Sequence, residues 1–396
     1  MAPHHSEQQA HYPGVLTAIT PVRRLWPYWL RGFWWLLRVI ARLNVVPKGV
    51  LMDTSMINSA RWSLLDRVPA KGRGSEPHAL GRPYLLFEAN FSGDLSGYLE
   101  TFSFVDAVGV WLMWRGSYEF PPPQQARRFF EFVNDRGLNV NCSYSAYPEA
   151  TTSMIRAAIA LERHILKFDV EHGHLLAKDF AARYREWLPT VQTIRDPEGE
   201  AGTACSFTAI AVIEPERLEQ LKEKIGGLAP SDLAIGDAQK AIPEKTHFAR
   251  LTIADQFLQS FLKREERDAK GDPTAYLMFS TWFDAARPEQ QRPQALQSHL
   301  GGLHSRFGGE AEAIWSACRG FSAGRGPDYL CRYLLEHEVD VGLPFATYPG
   351  KTVHEVKRAL ALAGRFSRFT RDAQGCPADR LFVGWRTMMD ESKVAT

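Results

Sequence analysis

The sequence repeats itself, and this constrains the fold of the chain more than any other feature. Thr17-Ala18-Ile19 returns as Thr208-Ala209-Ile210, each inside an apolar run that ends at a proline, Pro21 or Pro215. Ala60-Arg61 followed by Asp66 returns as Ala249-Arg250 followed by Asp255. Tyr84-Leu85-Leu86-Phe87 with Phe91 matches Tyr276-Leu277-Met278-Phe279 with Phe283. Trp111 ahead of Arg115-Gly116 matches Trp315 ahead of Arg319-Gly320, and Tyr147-Pro148 with Thr151 matches Tyr348-Pro349 with Thr352. Each mark alone is weak, but the same order and register throughout point to a duplicated unit.

The segments between the marks have distinct periodicities. Val15 to Thr20 and Ser206 to Ile213 are short β-type runs, and helical stretches follow over Arg23 to Leu43 and Pro215 to Leu228. Two strands come next in each copy, Arg61 to Asp66 with Tyr84 to Phe91, and Phe248 to Ala254 with Tyr276 to Phe283. A long helix follows (Leu95 to Trp114; Gln294 to Cys318), then a short one (Gln124 to Asp135; Asp328 to Glu338), a final strand at the Tyr-Pro mark, and a trailing helix (Thr151 to His164; Val353 to Phe366). Strand, helix, strand, strand, helix, strand is the order of a ferredoxin-like unit. The expected fold is therefore α+β: two tandem ferredoxin-like βαββαβ repeats whose helix-free sheet faces oppose each other.

The expected organisation is a polar tail over 1–13, a first repeat over 14–170, a linker over 171–202, a second repeat over 203–370 and a C-terminal extension over 371–396. The linker has helical spacing from Leu175 to Leu188 and a boundary turn at Asp196-Pro197-Glu198-Gly199, and Pro69 to Arg82 and Gln256 to Pro273 read as loops.

Composition removes several function classes. A net charge of +2 over 396 residues, without clustered Lys and Arg interleaved with aromatics, gives no field for binding nucleic acid. Five cysteines, scattered and without a C-x-x-C pair, argue against a disulfide framework and a zinc site. His172 and His174 beside Glu171 lack a third ligand at zinc-like spacing, so no metal site is expected. The polar, histidine-bearing N-terminus has no secretory pattern, and a reducing cytoplasm is the expected compartment.

The copies differ most in their first helix. In the second copy Leu218, Leu221 and Ile225 form a narrow stripe among Glu216, Arg217, Glu219, Gln220, Lys222, Glu223 and Lys224, the pattern of a surface helix on a sheet. In the first copy the same slot holds Trp26, Tyr28, Trp29, Phe33, Trp34, Trp35, Leu36 and Leu37, interrupted by Arg31, Arg38 and Arg42. Covering a sheet takes one stripe, so the surplus must meet something else. Central arginines speak against a bilayer span of about 20 apolar residues. Tryptophan with arginine is instead the composition of an interfacial helix, with Trp26, Trp29, Trp34, Trp35, Arg31 and Arg38 as the membrane-binding set on the inner membrane face. The alternative is that the surplus packs against the linker helix or a second subunit.

Strand alternation places Leu85, Phe87, Ala89 and Phe91 under the helices and Tyr84, Leu86, Glu88 and Asn90 on the other face. With opposed sheets, Glu88 and Asn90 point into a central cleft, joined by Arg61 and Arg250. A carboxylate and guanidinium there could handle protons or hold an anion. The competing reading, favoured for the arginines because both copies carry them, is a scaffold pair. Glu88 and Asn90 are unmatched in the second copy and are the better functional candidates. No nucleophile elbow, phosphate loop or dinucleotide fingerprint appears.

His247-Phe248-Ala249-Arg250, the Phe87 to Gly93 strand end and Ser145-Ala146-Tyr147-Pro148 together resemble a poorly characterised family associated with dye-decolourising-peroxidase-like proteins. The resemblance is spread over most of the chain. Its strand-end Asp-Gly is Ser92-Gly93 in one copy and Asp284-Ala285 in the other. It implies a ferredoxin-like fold, haem or peroxide chemistry nearby and a peroxidase-like partner. A bound haem would need an axial ligand, for which His304 and His354 are the candidates, with His247 joining the catalytic set. The function expected is a membrane-peripheral, peroxidase-like oxidoreductase that acts on or binds a lipophilic substrate in the cleft. The alternative is a non-catalytic module binding lipid or a partner through the Trp-rich helix.

Overall fold

The computed structural model describes residues 14–42, 56–68, 78–105, 107–122, 125–191, 205–228, 245–255, 275–284, 292–340, 342–348 and 350–394. The expected tail over 1–13, the boundary turn at 196–199 and the loop over 256–273 lie outside them. In the first copy the order is β1 (Gly14–Pro21), α1 (Trp26–Arg42), β2 (Ile57–Val68), β3 (His78–Phe91), α2 (Leu95–Val105), α3 (Ala107–Trp114), α4 (Ala126–Asp135), β4 (Val140–Ser145), α5 (Thr152–His172) and α6 (Ala177–Val191). The second runs β5 (Cys205–Val212), α7 (Leu218–Gly226), β6 (Thr246–Ala254), β7 (Tyr276–Phe283), α8 (Arg292–Trp315), α9 (Pro327–Glu336), β8 (Leu343–Ala346), α10 (Val353–Asp372) and α11 (Ala378–Val394).

The strands form two four-stranded antiparallel sheets, ordered β1-β3-β2-β8 and β4-β6-β7-β5. Each sheet therefore takes its last strand from the other copy. β8 pairs with β2 (Ala60 opposite Phe345), and β4 pairs with β6 (Ala249 opposite Tyr144). Just ahead of each exchanged strand the chain still bonds to its own copy. The Leu138 N–H donates to the Thr17 carbonyl at 2.7 Å, and the Val339 N–H donates to the Thr208 carbonyl at 2.8 Å. These bridges join the two sheets at both seams, so the backbone edges that a lone sheet would leave unpaired are covered.

The pleat separates two environments. Outward residues of the first sheet, including Ala18, Trp62, Leu64, Phe87 and Phe91, form one core with α1 to α4, and Phe207, Ala209, Ile253 and Leu277 form its equivalent with α7 to α9. Inward residues from both sheets meet one another: Ile19, Leu65, Tyr84 and Leu86 pack with Ile210, Val212, Tyr276 and Met278. The space expected as an open cleft is thus packed with side chains. Glu88 and Asn90 do share the inward face, as alternation requires, and both are buried.

The trailing helices leave the ring together. α5 and α10 run against each other over Ile155, Ala158, Val356 and Ala359. Farther on they join α6 and α11 in a separate core around Phe168, Phe180, Tyr184, Phe366 and Trp385. The stretch expected as a linker and the C-terminal extension are therefore two members of one helical bundle. The capping is symmetric too. Thr151 and Thr352 side chains accept the backbone N–H of Met154 and Glu355, closing the first turns of α5 and α10.

Candidate functional site

Four of the five residues expected as catalytic meet between the sheets, where they staple one sheet to the other. Arg61 leaves the first sheet to donate from Nη1 to Thr208 Oγ1 at 3.0 Å and from Nη2 to the Val339 carbonyl at 3.1 Å. Arg250 leaves the second sheet and donates to the Leu16 carbonyl at 2.7 Å, the Ala89 carbonyl at 3.0 Å and Asn90 Oδ1 at 2.7 Å. Thr17, the counterpart of Thr208, also receives Arg250 Nη1, at 3.1 Å. Glu88 accepts hydrogen bonds from the hydroxyls of Thr208, at 2.8 Å, and Ser280. Asn90 donates to Ser59 Oγ at 2.8 Å.

Burial lowers the pKa of both guanidinium groups from their ordinary value, and the nearby Glu88 carboxylate opposes that shift. The carboxylate thus lies between two buried cations, each held by carbonyls and hydroxyls of the opposite sheet. Such a layer fixes register, and it is packed too closely to admit a substrate. A pocket of about 50 Å³ opens at the end of this layer, where Asn58 and Ser59 of the first sheet face Phe248 and Trp282 of the second.

His247, the fifth, sits one layer away at the end of the ring that faces α5 and α10. Its Nδ1 is 2.8 Å from the Tyr147 hydroxyl and its Nε2 is 2.9 Å from Asp284 Oδ1. Burial raises the Tyr147 phenol well above its ordinary range. Taken alone, phenol, imidazole and carboxylate in line could relay a proton. The first copy shows what the arrangement is for. There Asn58 stands in the place of His247 and faces Tyr348, whose hydroxyl lies 3.3 Å from Asn58 Oδ1. Ser92 stands in the place of Asp284. Ser92 Oγ accepts the first N–H of α5, from Thr152, at 2.8 Å, and Asp284 accepts that of α10, from Val353, at 3.0 Å. Both strand ends therefore cap a trailing helix, and each Tyr-Pro tyrosine reaches across to the other copy. The adjoining pocket, about 50 Å³, is lined by Asn58, His247, Asp284 and Tyr348. It has room for a few water molecules.

The third region is α1. Leu30 and Trp34 are buried beneath it, with the Trp34 indole N–H directed at Met113 Sδ, 3.4 Å away. Trp26, Trp29 and Phe33 are stacked and half-buried, with ring centroids 4.5 and 4.9 Å apart. The Arg115 guanidinium lies 5.1, 5.2 and 4.2 Å from the rings of Trp26, Trp29 and Trp111. Gly116 is the glycine that permits this, because a Cβ there would fall 2.0 Å from the Trp26 ring.

Of the four tryptophans expected to meet a membrane, Trp35 alone points outward, 64% exposed, beside Tyr28 at 71% and Leu36 at 46%. Trp34 is excluded from such a role because the helix turns it onto the sheet one position before Trp35 turns away. Leu25, Val108 and Trp111 are exposed as well, Trp111 joined to the half-buried side of α1 through Arg115, and sequence reasoning did not single them out. Their signal lay in α3, whose apolar residues outnumber what its packed side needs. Arg31 is 3.8 Å from Asp66, and Arg38 donates to the Gly342 carbonyl, so these two also hold α1 to the first sheet.

Of the histidines expected as haem ligands, the structure describes the side chain of one. His354 is exposed on the first turn of α10, and the side chain of His304 lies outside the described residues. His354 lines neither of the pockets at the strand ends and behind the second sheet. Among the described residues, then, no free imidazole faces a cavity that would hold a haem, and no group of His, Cys, Asp and Glu is arranged to hold a metal ion. The five thiols are free, and burial raises that of Cys142 to about 11, which makes it a poor nucleophile. No protein-family model and no curated protein matches this chain.

Proposed function

We propose that this protein is a non-catalytic module of two ferredoxin-like repeats that docks on an anionic lipid surface through the outward face of α1 and the adjoining edge of α3. The observation that carries this reading is the exposure of Tyr28, Trp35 and Leu36 on α1, together with Leu25, Val108 and Trp111, beside Arg24 and the Asp66-paired Arg31. Indole and phenol rings suit the headgroup layer, and guanidinium groups complement lipid phosphate. A bilayer is preferred over a second copy of the chain because a symmetric contact would bring the exposed Arg24 flanks of the two copies together. No described helix is long and apolar enough to cross a membrane, in keeping with attachment from one side.

Sedimentation with vesicles tests this. With phosphatidylcholine vesicles containing phosphatidylglycerol, the protein is expected in the pellet, with less bound when the anionic lipid is omitted or salt is raised. Three side chains at about 1.5–3 kcal/mol each on full burial place the expected loss for Tyr28→Ser/Trp35→Ser/Leu36→Ser at tenfold or more. Wild-type protein that stays in the supernatant with both vesicle types would overturn the proposal. If the triple substitution instead converts a dimer to a monomer in light scattering, the face is a protein interface.

A further inference from the structure

The duplicated cores are not equally filled. Under the helices of the first copy, Trp62, Phe87, Trp114 and Phe129 make a continuous aromatic cluster, with centroids 4.9 Å apart for Trp62 and Phe87, 4.9 Å for Phe87 and Trp114, and 6.2 Å for Trp114 and Phe129. All four are at most 1% exposed. Counting from the shared Ala-Arg, Tyr-Leu and Arg-Gly marks, and for the last of them from the seam bridges at Gly137 and Glu338, the second copy has Leu251, Phe279, Cys318 and Leu330 at these positions. Two tryptophans and a phenylalanine are replaced by smaller side chains.

The first helix reinforces the difference. α1 continues past Leu30 to lay Trp34 over the exchanged strand, close enough that a Cβ on Gly342 would meet its ring at 2.7 Å. Its counterpart α7 ends at Gly226 among the described residues. Among the described residues an apolar pocket of about 100 Å³ lies between the outer face of the second sheet and α8 and α9, walled by Cys142, Leu251, Phe279, Ile314, Leu330 and Leu334. Leu251 and Phe279 are only partly buried, where Trp62 and Phe87 are fully covered.

We infer that this pocket is a binding site for a small uncharged lipophile, a single ring or a short alkyl chain. Well-packed interiors leave few voids larger than water, and an apolar cavity of about 150 Å³ holds benzene. The lining offers almost no polar surface to hold water, and a carboxylate head buried there would lose its hydration. The pocket lies behind the second sheet, so this inference is independent of lipid docking by α1.

Benzene and 1-hexanol are suitable probes, followed by chemical-shift titration and by thermal shift. Wild-type protein is expected to bind both saturably, and hexanoate at least tenfold more weakly than 1-hexanol. Leu251→Trp, which copies the first repeat, is expected to lower benzene affinity at least tenfold without lowering thermal stability. If Leu251→Trp does not fold, as read by circular dichroism, Leu330→Phe fills the same space from the helical side and carries the same expectation. Vesicle binding should survive either substitution, and Trp35→Ser should leave benzene binding unchanged. Saturable benzene binding that persists in the folded filled variant, or no binding by wild type, overturns the inference.

Discussion

The first helices of the two copies lie on equivalent sheets and present opposite chemistry to solvent. α7 buries Leu221 and Ile225 and turns Glu219, Lys222, Glu223 and Lys224 outward, with Lys222 2.9 Å from both Glu219 and Asp255. α1 buries Leu30 and Trp34 and turns Tyr28, Trp35 and Leu36 outward. Because both sheets need the same cover, the buried stripes are what the fold requires. The outward faces were free to diverge, and one of them diverged toward apolar surface. Beneath the helices the divergence runs the other way: the copy with the aromatic exterior is the one with the filled core.

Where the copies agree, a substitution should cost stability whichever copy carries it. Arg61→Ala and Arg250→Ala each remove a buried guanidinium whose hydrogen bonds reach across to the other copy, and each is expected to lower unfolding free energy by about 3–5 kcal/mol. Equal losses in urea titrations would support a shared stapling role. A loss below about 1 kcal/mol for one of them, with the other large, would break the symmetry and return that arginine to the functional candidates.

A smaller effect separates the copies by pH. Phe91 stacks on Tyr98 at 4.3 Å in the first copy, and Phe283 stacks on His299 at 4.3 Å in the second. Burial lowers His299 to about 4, and it lowers His337 in the same direction. A base with a depressed folded-state value binds its proton more readily when unfolded, near 6.5. Stability from this source is therefore complete above about pH 6.5 and is lost as pH falls toward 4, by roughly 3 kcal/mol for His299. Thermal melts across that range should show the loss, and His299→Tyr, which copies the first repeat, should reduce it and leave the share of His337. A wild-type melting temperature that is unchanged between pH 6.5 and 4 would contradict the assignment.

Much of this architecture was legible in the sequence because the marks fall on positions whose side chains are constrained by both copies at once. Ala-Arg sets the inward arginines, Arg-Gly sets the close approach of Gly116 to Trp26, and Tyr-Pro sets tyrosines that reach across the ring. The exchange of β4 and β8 was not legible, since a strand of four or six residues carries no code for which neighbour it pairs with. The packed interior was not legible for a related reason: the reach of Arg61 and Arg250 across to the opposite carbonyls depends on the distance between the sheets. In α1 the composition was read correctly as surplus apolar surface, but the phase was not fixed. Taking Leu30 as buried would have set it, because Trp34 follows four residues later on the same face and Trp35 does not.

The central claim is that the outward face of α1 enters lipid and that of α7 does not. Quenching of tryptophan emission by brominated acyl chains reads this directly, since it requires contact with the bilayer. On anionic vesicles the wild-type emission is expected to be quenched, and Trp35→Phe/Trp111→Phe is expected to remove most of that quenching while the protein still folds. Quenching that is absent in the wild type, or unchanged in the double variant, would contradict the account.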